Sequence, residues 1–359
     1  MYHTFAHKSV EALKCKSVEE EIKIMKKLFA LMMAMVLTMS MVACGGTTDV
    51  ETSDTEVAAD GTGEGKVYKI GVLQYVQHAA LDQSNEGFFK ALDDAGLKYK
   101  ANQQNAAGEA ATCDTIADTL VNSGSDLILA IATPAAQSVA GKTTDIPIVL
   151  TAVTDPAESG LVASNDAPGG NVTGTSDLTP VKEQMDLLME VLPDCKKVGI
   201  LYCSAEANSV LQANMAKKAL DALGVAYDDF TVSSSNEIQT VVESAVGKVD
   251  ALYAPTDNMI AAGMATVCMV ANENGLPVIV GEEGMVNEGG LATYGIDYFE
   301  LGYLAGQQAV AILTEGANPA KTPIGYLAAE NCALSVNMDT VAALEAKGVD
   351  LTALKAKVK

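Results

Sequence analysis

The chain has 359 residues, 49% hydrophobic and 19% charged, with 46 acidic residues against 23 basic ones and a formal net charge of −23 at pH 7. That length predicts about two domains. The acidic balance excludes nucleic acid and anionic lipid headgroups as partners, since both demand patches of Lys or Arg. All the basic residues are Lys. A ligand carboxylate or phosphate therefore meets no guanidinium fork, and must be held by backbone N–H groups at helix starts, by hydroxyls and amides, or by Lys.

Residues 1–24 are polar, fit no part of a signal peptide and precede a better start at Met25, so we read them as lying upstream of the true initiator. Residues 25–43 read as a lipoprotein signal peptide: Lys26 and Lys27 form a positive region, and Leu28 to Val42 an uncharged apolar core shorter than a membrane span. Ala43-Cys44 has the form of a lipobox, which makes Cys44 the expected lipidation site. Residues 44–66, "CGGTTDVETSDTEVAADGTGEGK", hold almost no large apolar side chain and read as a flexible tether. The five remaining cysteines are scattered, no CxxC occurs, and His78 is the one histidine beyond residue 7. Neither a disulfide framework nor a metal site is expected, and no cofactor motif is present.

From Val67 onward three strand-and-turn units recur in order, about 130 residues apart. "YKIGVLQYVQH" matches "KKVGILYCSAE", "DLILAIATPAA" matches "DALYAPTDNMI", and "DIPIVLTAVTDP" matches "GLPVIVGEEG". The runs "LILAIA", "IPIVL" and "PVIV" are continuously apolar, as buried parallel strands are. Helical segments alternate with them, and Gly96 and Gly224 stand where helix C-caps belong. Thr133 before Pro134, and Thr179 before Pro180, read as cap pairs opening helices. Asp257 to Gly275 reads as one continuous helix. The fold class is α/β, with two doubly wound parallel-sheet lobes and a cleft between them.

Ligands bind at the carboxyl ends of the strands in such sheets. That rule nominates Gln77, His78, Thr133, Pro134, Ala135, Thr154 and Asp155 in the first half. In the second half it nominates Asn208, Ser209, Thr256, Asp257, Asn258, Glu283 and Asp297. The helix start at Thr133-Pro134-Ala135 offers N–H groups, a hydroxyl and a positive dipole end to a carboxylate; Asn208-Ser209 offers the same from the other lobe. Asp155, Asp257, Glu283 and Asp297 are candidates for an ammonium. Capping for Asp257, turn formation for Asp155 and a structural place for Asp297 are equally open readings. Tyr75, Tyr202, Tyr253 and Tyr294 lie on or beside strand ends, as core or as pocket wall.

The stretches "ILAIATPAAQ", "IVLTAVTDP", "GGNVTGTSDLTPVKEQ", "SAEANS", "APTDN", "GEEGMV" and "YGIDYFELGY" together resemble the ABC-transporter substrate-binding lipoproteins of the type I periplasmic-binding-protein fold, whose members include proposed tryptophan and tyrosine binders. The resemblance implies a three-crossing hinge near residues 174–177, 295–297 and 328–335. Lobe 1 is then residues 67–176 plus 298–330, and lobe 2 residues 177–297 plus 331–359. It also implies a monomer, lipid-anchored through Cys44 on the extracytoplasmic face of a bacterial membrane, that traps a small solute and delivers it to an ABC permease. An amino acid, aromatic ones included, suits the candidate groups. A sugar or nucleoside receptor and a ligand-presenting sensor are the alternatives; the absence of Trp disfavours sugar stacking. No GxSxG, HExxH or Cys–His pairing points to an enzyme, and no GxxxxGK[ST] loop to ATP hydrolysis.

Overall fold

A computed structural model describes residues 66–327 and 332–358. The signal segment, Cys44, the tether and part of the expected third crossing lie outside these residues. The first sheet contains β1 (Val67–Gln74), β2 (Lys98–Asn105), β3 (Leu127–Ile131), β4 (Ile148–Val153) and β5 (Val172–Ser176). Their order is β2-β1-β3-β4-β5, and every pairing is parallel. The second sheet contains β6 (Lys197–Cys203), β7 (Ala226–Val232), β8 (Ala251–Ala254), β9 (Val278–Val280), β10 (Ala292–Gly295) and β11 (Ala333–Val336). Read from its other edge, its order is β7-β6-β8-β9-β10-β11. The first five positions repeat the order of the first sheet, in keeping with the recurrence of strand-and-turn units in the sequence. The addition is β11, which pairs antiparallel with β10.

The first sheet is flanked by α1 (Ala79–Asp94), α2 (Ala110–Asn122) and α3 (Thr133–Ala140). The second is flanked by α4 (Val181–Val191), α5 (Ala207–Leu223), α6 (Ile238–Ala245), α7 (Asn258–Ala262), α8 (Met264–Glu273) and α9 (Glu283–Asn287). The chain then returns to the first sheet. α10 (Tyr298–Val310) packs on α1, β4 and β5, and Leu301, Ala305 and Ala309 join the first core. Residues 324–326 stay there, with Gly325 bridging to Thr175. After β11, α11 (Met338–Ala346) and α12 (Thr352–Lys357) place Val341, Leu344 and Leu354 in the second core. No described helix is long and apolar enough to cross a membrane.

Burial explains the strands. β3, β4 and β5 are buried at every residue, which their apolar and threonine-rich sequences permit because both faces are covered. β2 is the polar edge. The helix expected over Asp257–Gly275 is instead broken at Gly263 into α7 and α8. A Cβ at Gly263 would stand 2.4 Å from the Ile238 side chain, so the chain turns there against α6. The five described cysteines are free thiols, four of them buried.

Candidate functional site

Parallel pairing brings the carboxyl ends of β1, β3, β4 and β5 to one edge of the first sheet, and those of β6, β8, β9 and β10 to one edge of the second. Two hydrogen bonds join these edges. His78 Nε2 lies 3.3 Å from Asn258 Oδ1, and Gln212 Nε2 donates to Thr154 Oγ1 at 3.2 Å. The lobes therefore meet across the strand ends. At the mouth of the cleft a cavity of about 200 Å³ runs between Gln77, His78 and Ala79 on one side and Ala261, Glu282 and Gly284 on the other.

On the first edge, Ala132 follows β3 with φ 81 and is the N-cap position of α3. A positive φ costs energy in any residue with a Cβ. Here it turns the chain sharply, so α3 starts directly at the cleft. Thr133 is thus the first residue of the helix and makes no cap hydrogen bond, which corrects the expected Thr133 cap. Its Oγ1 is buried and has no partner. Thr179 likewise does not cap α4: the N-cap position is Pro180, and Thr179 Oγ1 is buried and unpaired. Pro134 and Ala135 follow within the first turn, where N–H groups lack intrahelical acceptors. Thr154 is buried and bonded to Gln212.

On the second edge, Asn208 and Ser209 are buried at the start of α5. Asn208 Nδ2 donates to Glu206 Oε2, to Ser209 Oγ and to the Thr256 carbonyl, while its Oδ1 has no partner. Gln212 Nε2 also donates to Thr256 Oγ1 and to the Thr256 carbonyl. Asp257 caps α7, accepting from Ile260 N at 2.8 Å, and it also accepts from Cys203 N. Asn258 Nδ2 donates to Glu206.

Three nominated acids sit elsewhere in the balance. Glu283 is exposed, and its neighbour Glu282 is the buried one, capping α9 through Gly284 N and Met285 N. Asp297 is exposed and caps α10 through Glu300 N. Asp155 is a turn former, accepting from Ala157 N, Glu158 N and Asn165 Nδ2. Gln77 is exposed and within 3.5 Å of Asp82. Among the tyrosines, Tyr253 is fully buried and donates to Gln184 Oε1, Tyr202 and Tyr294 pack in the same core, and Tyr75 donates to the Gly108 carbonyl.

Sequence reasoning gave no role to Asp177 or Gln212, and from the strand-end loops 204–209 and 282–283 it chose Asn208, Ser209 and Glu283 rather than Glu206 and Glu282. Gln212 was findable, since it stands one turn after Asn208 on the same helix face. Glu206 lies at the N-cap position of α5, and Asp177 inside the expected first crossing. Glu282 looked equivalent to Glu283, and only the direction of the β9–α9 turn separates them.

These acids share an environment. Burial pushes the Asp177 carboxyl up to about 6, against the opposing hydrogen bond from Tyr298 OH at 2.9 Å. Burial likewise pushes Glu282 up to about 7, and the charge of Asp177 adds to it. Glu206 and Asp257 are raised by burial, and Asp257 raises Glu206 further. His78 is pushed down to about 4, because burial outweighs the Asn258 contact and the Asp82 charge. Acids raised above their unfolded values hold more protons folded than unfolded, so they lose stability as pH rises through that window. His78, lowered, gains stability between about pH 4 and its unfolded value near 6.5. With several carboxyls against one imidazole, the melting temperature is expected to fall from pH 5 to pH 7.5. Asp177→Asn should flatten the fall. Melting curves across that range check it, and a rise in the wild type would refute the assignment.

The profile of the family described as ABC transporter substrate binding protein matches residues 69–352. The chain belongs to that family. Within this substrate-binding family it is 40% identical over 324 residues to the tyrosine-binding protein of Clostridioides difficile strain R20291, spanning 89% of this chain and 92% of the relative. Among solved structures it matches the ABC domain from Streptococcus pneumonia in complex with L-Trp at 37% identity and TM-score 0.76, over 81% of this chain and 98% of that one. It also matches the ligand-free, open structure of a substrate-binding protein with adhesive properties from Clostridium difficile, at 40% identity and TM-score 0.60, over 78% and 95%. The open structure has the higher identity and the lower TM-score. That order accords with the hydrogen bonds that join the two strand-end edges here.

Proposed function

We propose that this substrate-binding protein is the lipid-anchored, extracytoplasmic receptor of an ABC importer, and that it binds an amino acid between its lobes. The observation that carries the reading is a set of buried polar atoms without partners on the strand-end loops and first crossing: His78 Nδ1, Thr133 Oγ1, Asp177 Oδ1, Thr179 Oγ1 and Asn208 Oδ1. A buried polar atom left unpaired costs about 1–3 kcal/mol. Opening hydrates such atoms, and a polar solute pairs them. The cleft therefore favours either an open apo form or a closed form around a ligand.

The chemistry suits a zwitterion. The start of α3 with Thr133 receives the carboxylate without Arg. Asp177, beside Tyr298 and near Glu282, receives the ammonium, whose charge lets both carboxyls ionise. Names of relatives that bind tyrosine and L-Trp support an aromatic side chain. The lipid anchor rests on Ala43-Cys44 and the preceding signal pattern. Export to the outer face and delivery to a permease rest on the family.

The test is a thermal-shift screen of the full chain against the twenty amino acids, sugars and nucleosides. A ligand at a hundred times its Kd adds about 2.7 kcal/mol, which moves the melting temperature by about 5 °C or more. The largest shifts are expected with tyrosine and tryptophan. A shift with sugars alone would overturn the amino-acid reading and keep the trap.

A further inference from the structure

His78 is the one histidine after residue 7, and its two ring nitrogens differ in what they meet. Nε2 faces Asn258 Oδ1 on the other lobe. Nδ1 is sealed from solvent and has no partner. The proton can be placed by following the chain of contacts away from the ring. The Glu206 carboxyl receives four N–H groups: the Met259 amide at 3.1 Å, the Asn258 amide at 3.4 Å, Asn258 Nδ2 at 2.5 Å and Asn208 Nδ2 at 3.3 Å. Two of these are backbone donors whose direction is fixed, so both carboxyl oxygens act as acceptors, and with the carboxyl ionised neither has a proton to give. The Asn258 amide must then turn its nitrogen to Glu206 and its oxygen to His78. An oxygen facing Nε2 requires a proton on Nε2.

Burial keeps the imidazole neutral at neutral pH. A neutral ring with its proton on Nε2 has a bare lone pair on Nδ1. We propose that His78 is a specificity-determining residue of the amino-acid cleft: Glu206 and Asn258 fix its tautomer across the lobe junction, so that Nδ1 accepts a hydrogen bond from an N–H or O–H donor of the bound ligand. This rests on the reading that the cleft closes on an amino acid. Two parts of such a ligand carry donors, the ring substituent (phenol hydroxyl or indole N–H) and the α-ammonium. A ligand lacking the contacted donor leaves a buried acceptor unpaired, which is how polar sites reject close analogues.

Two measurements on the full chain test this. In the first, ¹⁵N imidazole spectra are recorded at pH 7 without ligand and with saturating L-tyrosine, His3 and His7 being assigned by substitution. The tyrosine-saturated protein should show His78 neutral, protonated on Nε2, with its Nδ1 resonance shifted by the added ligand. An Nδ1–H tautomer, an imidazolium, or an unmoved Nδ1 resonance at saturation would overturn the proposal. In the second, calorimetry compares tyrosine, tryptophan and phenylalanine on the wild type and on His78→Leu. If the ring supplies the donor, the wild type prefers tyrosine or tryptophan over phenylalanine by about tenfold, and His78→Leu removes the preference. If the ammonium supplies it, His78→Leu weakens all three alike by about tenfold. Unchanged affinities in a variant that melts like the wild type would overturn the role of His78. A wild type that binds none of the three would instead overturn the amino-acid reading, and the unliganded tautomer would then decide the His78 assignment, Nδ1–H refuting it.

Discussion

Gly302→Ala is expected to destabilise the first lobe by about 2 kcal/mol, although it adds a single carbon to a helix that alanine would otherwise favour. The cause is the seam between α1 and α10. A Cβ at Gly302 would stand 1.9 Å from the Ser84 carbonyl oxygen and 2.6 Å from its carbon. Gly87, on the facing helix, is held as closely: its Cβ would stand 2.0 Å from the Phe299 carbonyl oxygen. Gly306 continues the seam, 2.5 Å from the Phe88 carbonyl oxygen. These obstacles are backbone, so no side chain can swing aside. The helices would have to part along a line that carries Phe88, Leu92, Leu301 and Ala305 into the core. Overpacking of this kind typically costs about 1–3 kcal/mol and sometimes more, against a helix-propensity gain of about 1 kcal/mol. Gly170→Ala is the control, because nothing lies within 4 Å of a Cβ there; it should change stability by less than about 0.5 kcal/mol. Denaturant unfolding of the two variants decides the matter. Equal stabilities would mean that the seam is looser than its geometry.

Asp257→Ala is expected to cost about 3–5 kcal/mol whether or not ligand is present. The carboxyl is 1% exposed and serves two elements at once, capping α7 at Ile260 N and holding Cys203 N at the end of β6. Alanine leaves both donors buried without an acceptor, at about 1–3 kcal/mol each, and removes the cap. A residue that met only the ligand would behave otherwise: the apo protein would melt normally and ligand-induced stabilisation alone would vanish. Thr133→Ala is the matching contrast, since its hydroxyl has no partner to lose. Comparing melting temperatures of the two variants, with and without tyrosine, separates the roles. An apo Asp257→Ala protein as stable as the wild type would return Asp257 to the set of ligand-contacting acids.

The contrast shows where sequence reading reaches. Continuous apolar runs located β3 and β4, and the ordered recurrence of strand ends anticipated two similar parallel-sheet lobes. Those signals are periodic and spread over many residues. The strand-end loops were legible in the sequence, and the hydrogen-bond partners of their side chains were not. Asn208, Ser209 and residues 256–258 were nominated, while Glu206 and Gln212, which tie them together, were not, because both are held by partners about fifty residues away. The choice between Glu282 and Glu283 turned on one residue of register at a helix start. Thr133 and Thr179 followed a real capping preference, yet a strained alanine and a proline occupy the N-cap positions. The break at Gly263 came from a tertiary neighbour, Ile238, which no local pattern announces.

The late return of the chain to both sheets sets an order of events during synthesis. β1 is made first, but α10, which covers β4 and β5 of the same sheet, arrives more than two hundred residues later: Tyr303 reaches back to Asp94, and Tyr68 donates to the Leu313 carbonyl. The second sheet gains its edge strand β11 later still, near the C-terminus. Contacts so distant along the chain slow folding. Each core therefore reaches its final packing only after a segment far along the chain has been made: α10 for the first sheet, and β11, α11 and α12 for the second.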